Sequence, residues 1–125
     1  MTPIRKIMLV DDEEDIRTIA EIALGAVGGW QVVLAGSGSE ALSLAEAERP
    51  DLILLDVMMP GTDGPATLVR LRAAEATRHI PVIFMTAKSG AADMARYRDM
   101  GAVGIIAKPF DPMTLPDEIR KIVAP

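Results

Sequence analysis

Five short apolar runs punctuate the chain, at residues 4–10, 31–35, 52–55, 81–85 and 103–107. Most are rich in Val, Ile and Leu, and none is long enough for a helix of ordinary length, which suits strands buried on both faces of a parallel sheet. Amphipathic stretches lie between them. Ile16, Ile19, Ala20, Ala23, Leu24 and Val27 recur at helical spacing. Ser37 followed by Glu40 forms a capping-box pattern, opening a second helix that turns Ala41, Leu42 and Ala45 inward. A third helix is predicted from about Gly64, with Asp63 as N-cap and Leu68 and Leu71 buried. A fourth opens after Ser89 and stops at Gly101, and a fifth carries Leu115, Ile119 and Ile122. Pro116 is tolerated only in a first helical turn. The fifth helix therefore starts near Thr114 as cap, with Asp117 at N3 and a turn at Asp111-Pro112 before it. Five strand-then-helix units imply an α/β fold with a doubly wound, five-stranded parallel sheet, five helices and right-handed crossovers.

Composition narrows the function classes. The 125 residues fit one domain, 1–125, with no linker, repeat or output domain expected within them. Half of the residues are hydrophobic, which opposes disorder. A net charge of −5 argues against direct nucleic-acid binding. With no cysteine there is no disulfide, zinc-thiolate site or thiol nucleophile. The start lacks a signal-peptide core, and the apolar run at 7–10 ends at Asp11, far short of a membrane span. The expectation is a soluble, cytoplasmic protein without membrane contact.

In an open α/β sheet, ligands bind beyond the carboxyl ends of the strands. Asp11 and Asp12 follow the first run, Asp56 the third and Thr86 the fourth, and Lys108-Pro109 closes the fifth. If the first and third strands are neighbours, three carboxylates meet at one edge, and their repulsion calls for a cation. Oxygen ligands without His or Cys favour Mg²⁺, or Mn²⁺, over zinc. Thr86 and Lys108 bracket a spot beside Asp56 where a hydroxyl and an ammonium suit a phosphoryl oxygen. Glu13, Glu14 and Asp15 read as first-turn acids favoured by the helix dipole. His79, the one histidine, reads as a solvated loop residue, Trp30 as a half-buried edge residue, and most of the eight methionines as gap-fillers. Met94, Tyr97 and Met100 read as packing residues of the fourth helix, with partner contact through Tyr97 as the lesser alternative.

The motifs Leu9-Val10-Asp11-Asp12-Glu13, Asp51 to Asp56, Met59-Pro60-Gly61 with Asp63-Gly64, Met85-Thr86-Ala87 and Lys108-Pro109-Phe110 together resemble the response-regulator receiver family of two-component signalling, over essentially the whole chain. The resemblance, rather than the periodicity, supplies the flavodoxin-like strand order 2-1-3-4-5. It implies that Asp56 is the phosphoacceptor, Asp12 a direct metal ligand, Asp11 a ligand through water, and the Met58 backbone carbonyl a third protein ligand. It implies that Thr86 and Lys108 bind the phosphoryl group and that Lys108–Pro109 is cis. It also implies a histidine kinase or histidine phosphotransfer protein as donor, an unidentified downstream protein as target, and no turnover on an outside substrate. Ile105 stands where many receivers carry an aromatic switch, which shifts the expected signal route to the loop at 87–91 and the fourth helix. Two other classes compete. A Mg²⁺-dependent phosphohydrolase of the haloacid-dehalogenase type carries a second Asp two residues after its nucleophile, where this chain has Met58. A phosphate-independent interaction module is expected to lack Asp56, Asp12 or Lys108, and all three are present.

Overall fold

The computed structural model describes residues 3–61, 63–88 and 90–124. Five strands, β1 (Lys6–Val10), β2 (Gln31–Ala35), β3 (Leu52–Asp56), β4 (Val82–Thr86) and β5 (Gly104–Ala107), form one sheet in the order β2-β1-β3-β4-β5. All four pairings are parallel. Helices α1 (Glu14–Ile22), α2 (Gly38–Glu48), α3 (Gly64–Ala73), α4 (Ala91–Asp99) and α5 (Leu115–Val123) cover its two faces. Alternate residues of the strands feed two cores, as period-2 geometry requires. Met8, Ile53, Leu55 and Phe84 pack with α2, α3 and α4, whereas Ile7, Leu9, Leu54 and Met85 pack with α1 and α5. Burial on both faces is why the strand sequences lack alternation. Among the described residues, no helix is long and apolar enough to cross a membrane.

The predicted elements are present, with local differences. β1 starts at Lys6 rather than Ile4, and at this end the Arg5 and Lys6 amides both donate to the Asp51 carboxylate, at 2.9 and 3.0 Å. Asp56 and Thr86 are the last residues of their strands rather than the first after them. Helix α1 gives way to a π-helical segment at Ala23–Val27, which ends where Gly28 N–H reaches the Ala23 carbonyl at 2.9 Å. Ile19 and Val27, expected on the buried side, are exposed. Ala20, Ala23 and Leu24 occupy the inward face; Ile19, which precedes the widened turns, lies at the edge of that face, and Val27 falls within those turns. Ser37 caps α2 by accepting from Glu40 N–H, but the Glu40 carboxylate takes the Gly36 amide instead of closing the box on Ser37. Asp63 caps α3 through Ala66 N–H at 2.8 Å. Helix α4 starts at Ala91 with Gly90 as cap, while the expected boundary at Ser89 lies outside the described residues. Gly101 adopts φ +108 just beyond α4, a conformation that favours glycine. Helix α5 starts at Leu115 with Pro116 in its first turn. Thr114 is its N-cap residue, as expected, but the Thr114 side chain takes no amide, and the Asp111 carboxylate takes Met113 N–H at 2.8 Å.

Candidate functional site

The carboxyl ends of β1, β3, β4 and β5 converge, and each delivers one polar side chain. Asp11 directly follows β1 and is fully buried. Its Oδ1 accepts from Glu13 N–H at 2.9 Å and its Oδ2 from Lys108 Nζ at 3.0 Å. Asp12 is exposed beside it. Asp56, 3% exposed, accepts from Met58 N–H at 3.2 Å and lies 3.3 Å from Lys108 Nζ. Thr86, 1% exposed, accepts from Lys88 N–H at 2.9 Å through its hydroxyl. Lys108 reaches back from the end of β5 to bridge both buried carboxylates, and its peptide bond to Pro109 is cis.

The electrostatics of this cluster are unbalanced. Burial pushes the Asp56 carboxyl above its ordinary value and Asp11 pushes it further, against the opposing pull of Lys108 and the Met58 amide. Lys108 is lowered by burial, but its hydrogen bond to Asp11 and the charges of Asp11 and Asp56 outweigh this and hold its ammonium above the ordinary value. One ammonium therefore does not neutralise the pair. Ligand oxygens of Asp11, Asp12 and Asp56 gather within 4.8 Å of one another. Three hard oxygen donors, excess negative charge and no thiolate or imidazole fit a divalent cation of the Mg²⁺ type.

Two further residues complete the site, of which Arg17 was not singled out from sequence. Arg17 on α1 donates to the Asp11 backbone carbonyl at 2.8 Å, holding the turn that carries both adjacent aspartates. Gly64, the first residue of α3, packs so closely that a Cβ there would lie 2.5 Å from the Asp56 carbonyl oxygen. An arginine one and a half helical turns after an acidic pair is a signal too common to single out Arg17. Gly64 stood in a quoted motif, but its reason, backbone contact with β3, exists only in three dimensions. Glu14 and Asp15 lie in the first turn of α1, as the dipole reading expects. His79 is exposed in the segment before β4. Trp30 is half-buried at the opposite end of the sheet, before β2. Tyr97 is a core residue, 1% exposed, packed edge-on against Phe84 at 5.1 Å.

With this geometry established, residues 7–120 match the profile of the response regulator receiver domain. The chain belongs to the response-regulator receiver family. This receiver is 40% identical over 119 residues to "Probable transcriptional regulator ycf27" of Cyanophora paradoxa, covering 95% of this chain and 48% of that protein. It is 38% identical over 119 residues, with the same two shares, to the alkaline phosphatase synthesis transcriptional regulatory protein PhoP of Bacillus subtilis. The receiver thus spans about half the length of these curated relatives. Among solved structures it superimposes on the chemotaxis protein CheY4 of Vibrio cholerae with a TM-score of 0.88 at 29% identity, covering 97% of this chain and 100% of that one. The receiver carries the acidic pocket of Asp11, Asp12 and Asp56 and is a module of two-component signalling.

Proposed function

We propose that these residues form one phospho-accepting receiver unit and that Asp56 takes the phosphoryl group. The carrying observation is a buried carboxylate at a strand end, beside two further carboxylates and in contact with an ammonium. A histidine kinase or histidine phosphotransfer protein is the donor. An Asp56 oxygen attacks phosphorus, the P–O bond forms, and the P–N bond to the donor imidazole breaks. Asp12, Asp56 and the Met58 carbonyl would hold Mg²⁺ directly, with Asp11 acting through water. Both Asp11 oxygens already accept hydrogen bonds, which suits that outer role. Bound Mg²⁺ supplies charge neutralisation for the incoming anion. Lys108 stands ready to exchange a carboxylate partner for a phosphoryl oxygen, and the Thr86 hydroxyl to donate to another.

The domain acts by phosphorylation-dependent protein contact, in the cytoplasm, rather than by turnover on an outside substrate. Longer relatives are described as transcriptional regulators, but the net charge of −5 disfavours DNA contact by these residues. Acetyl phosphate with Mg²⁺ should add one phosphoryl group, and Asp56→Asn should abolish it, as read by intact mass. Label that survives the substitution, or that maps to His79 or a serine, would defeat the assignment.

A further inference from the structure

A cavity of about 800 Å³ forms a groove beside the acidic pocket. Its walls come from the loop between β3 and α3, the first turn of α3, Lys88 and α4. It therefore opens on the α3 side of α4. Val57, Met59 and Tyr97 are buried and form its floor, with Met100 half-buried beside them. Lys88 and Arg96 bring two exposed cations to the rim against the single carboxylate of Asp63. The Arg96 guanidinium lies over the Tyr97 ring at 5.0 Å, donates to the Tyr97 hydroxyl at 3.2 Å and is 3.6 Å from Asp93, so it is held at the rim.

We infer that this groove docks an acidic, apolar-anchored peptide segment of a partner protein, with an affinity set by the state of Asp56. The inference rests on Asp56 as phosphoacceptor for its coupling but not for the docking itself. Charge complementarity selects the occupant. From Asp63 to Met100 the chain carries six basic and four acidic side chains, although the whole protein has a net charge of −5. At the groove itself Lys88 and Arg96 face the single carboxylate of Asp63, a locally positive lining on a negative molecule, which favours acidic segments over basic ones. A second copy seated two-fold on the same groove would set Lys88 and Arg96 against their own counterparts. A solvent-open, Met- and Tyr-lined trough with charged rims suits the side-chain anchors of a peptide.

The coupling follows from two hydrogen bonds. Met58, on one wall, donates its N–H to Asp56 Oδ1, and Lys88, on another, donates its N–H to Thr86 Oγ1. Both acceptors belong to side chains that the proposed phosphoryl transfer engages, so a change at either reseats a wall of the groove. Linkage then makes the effect reciprocal.

The test titrates ¹⁵N-labelled protein with three short synthetic peptides: one of leucine and glutamate, one with lysine for glutamate, and one with serine for leucine. The leucine–glutamate peptide should shift the Met59, Lys88, Tyr97 and Met100 amides. Its affinity should fall about five- to tenfold in Lys88→Glu/Arg96→Glu. Val69→Glu, an exposed position of α3 outside the groove, should leave it unchanged, and retained melting temperatures establish that the variants fold. Beryllofluoride with Mg²⁺ should change the affinity in the wild type and not in Asp56→Asn. Equal binding of the lysine peptide, shifts confined to other surfaces, self-association through the groove, or an affinity indifferent to beryllofluoride in the wild type each overturns the proposal. Should acetyl phosphate fail to label Asp56 while the acidic peptide still seats in the groove, the phosphoacceptor assignment falls and the docking site stands.

Discussion

Asp56 is held in the acidic pocket at a cost to stability. Its carboxyl is raised above the ordinary value of 3.8 by burial and by Asp11. The native state thus binds this proton more tightly than the unfolded chain does. The resulting stabilisation is fully present below 3.8 and is lost as pH rises through the raised value. At neutral pH, without divalent cations, the ionised group opposes folding. Asp56→Asn keeps a side-chain oxygen for the Met58 amide and removes the charge. It should raise the melting temperature by roughly 3–5 °C per ~1 kcal/mol relieved. The gain should shrink toward zero as pH falls below the ordinary carboxylate value, and a pH series of thermal melts in EDTA checks it. An increment that is constant with pH would assign the effect to packing rather than charge. Asp12 and Glu14 offer a second contrast. Both are exposed, but only Asp12 belongs to the carboxylate group gathered within 4.8 Å. Asp12→Ala should weaken Mg²⁺ binding, measured by calorimetry, far more than Glu14→Ala.

At the scale of elements, β4 and β5 carry the connection between the site and the α4 flank. Thr86 ends β4, and Ile105 on β5 pairs with Phe84 two residues before it. Ile105 is half-buried against the core that contains Phe84 and Tyr97. A β-branched side chain is stiff at its first torsion and lacks the reach of a ring, so Ile105 is poorly suited to swing in response to Thr86. The hydroxyl of Thr86 holds the Lys88 amide at 2.9 Å, which points to the segment leading into α4 as the responsive element. Methyl NMR with beryllofluoride should show little Ile105 rotamer exchange alongside shifts in the segment 87–91. Ile105→Ala should cost about 1–3 kcal/mol in urea denaturation, less than a fully buried isoleucine, while leaving phosphorylation largely intact. A large Ile105 exchange beside an unchanged loop would reverse the assignment.

Across the whole molecule, the parallel sheet separates chemistry from anchoring. Every strand points its carboxyl end toward the acidic pocket, and the opposite ends are tied by other contacts. Trp30 belongs to that far end, just before Gln31, which pairs with Lys6 at the start of β1. The Arg120 guanidinium of α5 lies over its ring at 4.8 Å and donates to the Gly28 carbonyl at 2.8 Å. A five-residue strand spans about 13–16 Å, so Trp30 is remote from Asp11. Its fluorescence should barely respond to Mg²⁺ yet respond fully to denaturation. A strong quench by Mg²⁺ in folded protein would contradict that separation.

The elements and the strand-end chemistry were legible in the local pattern of residues. Apolar runs of strand length, the caps Ser37 and Asp63, the stop at Gly101 and the position of Pro116 are local, because each depends on residues within one turn or one strand. The strand-end residues Asp11, Asp12, Asp56, Thr86 and Lys108 were legible for the same reason, since they lie where apolar runs stop. Strand order came from the resemblance, because spacing along a chain does not state which strands are neighbours. Whatever depends on approach between distant segments was settled by packing. It brought Lys108 onto both Asp11 and Asp56 across 97 residues in the first case. It set Arg17 on the Asp11 carbonyl, pressed Gly64 against β3, and ended α1 in a π-helical segment that leaves Val27 exposed. It also buried Tyr97 against Phe84 and left the groove above it open. These are consequences of packing, where close contact between elements selects one arrangement among several that the local pattern permits.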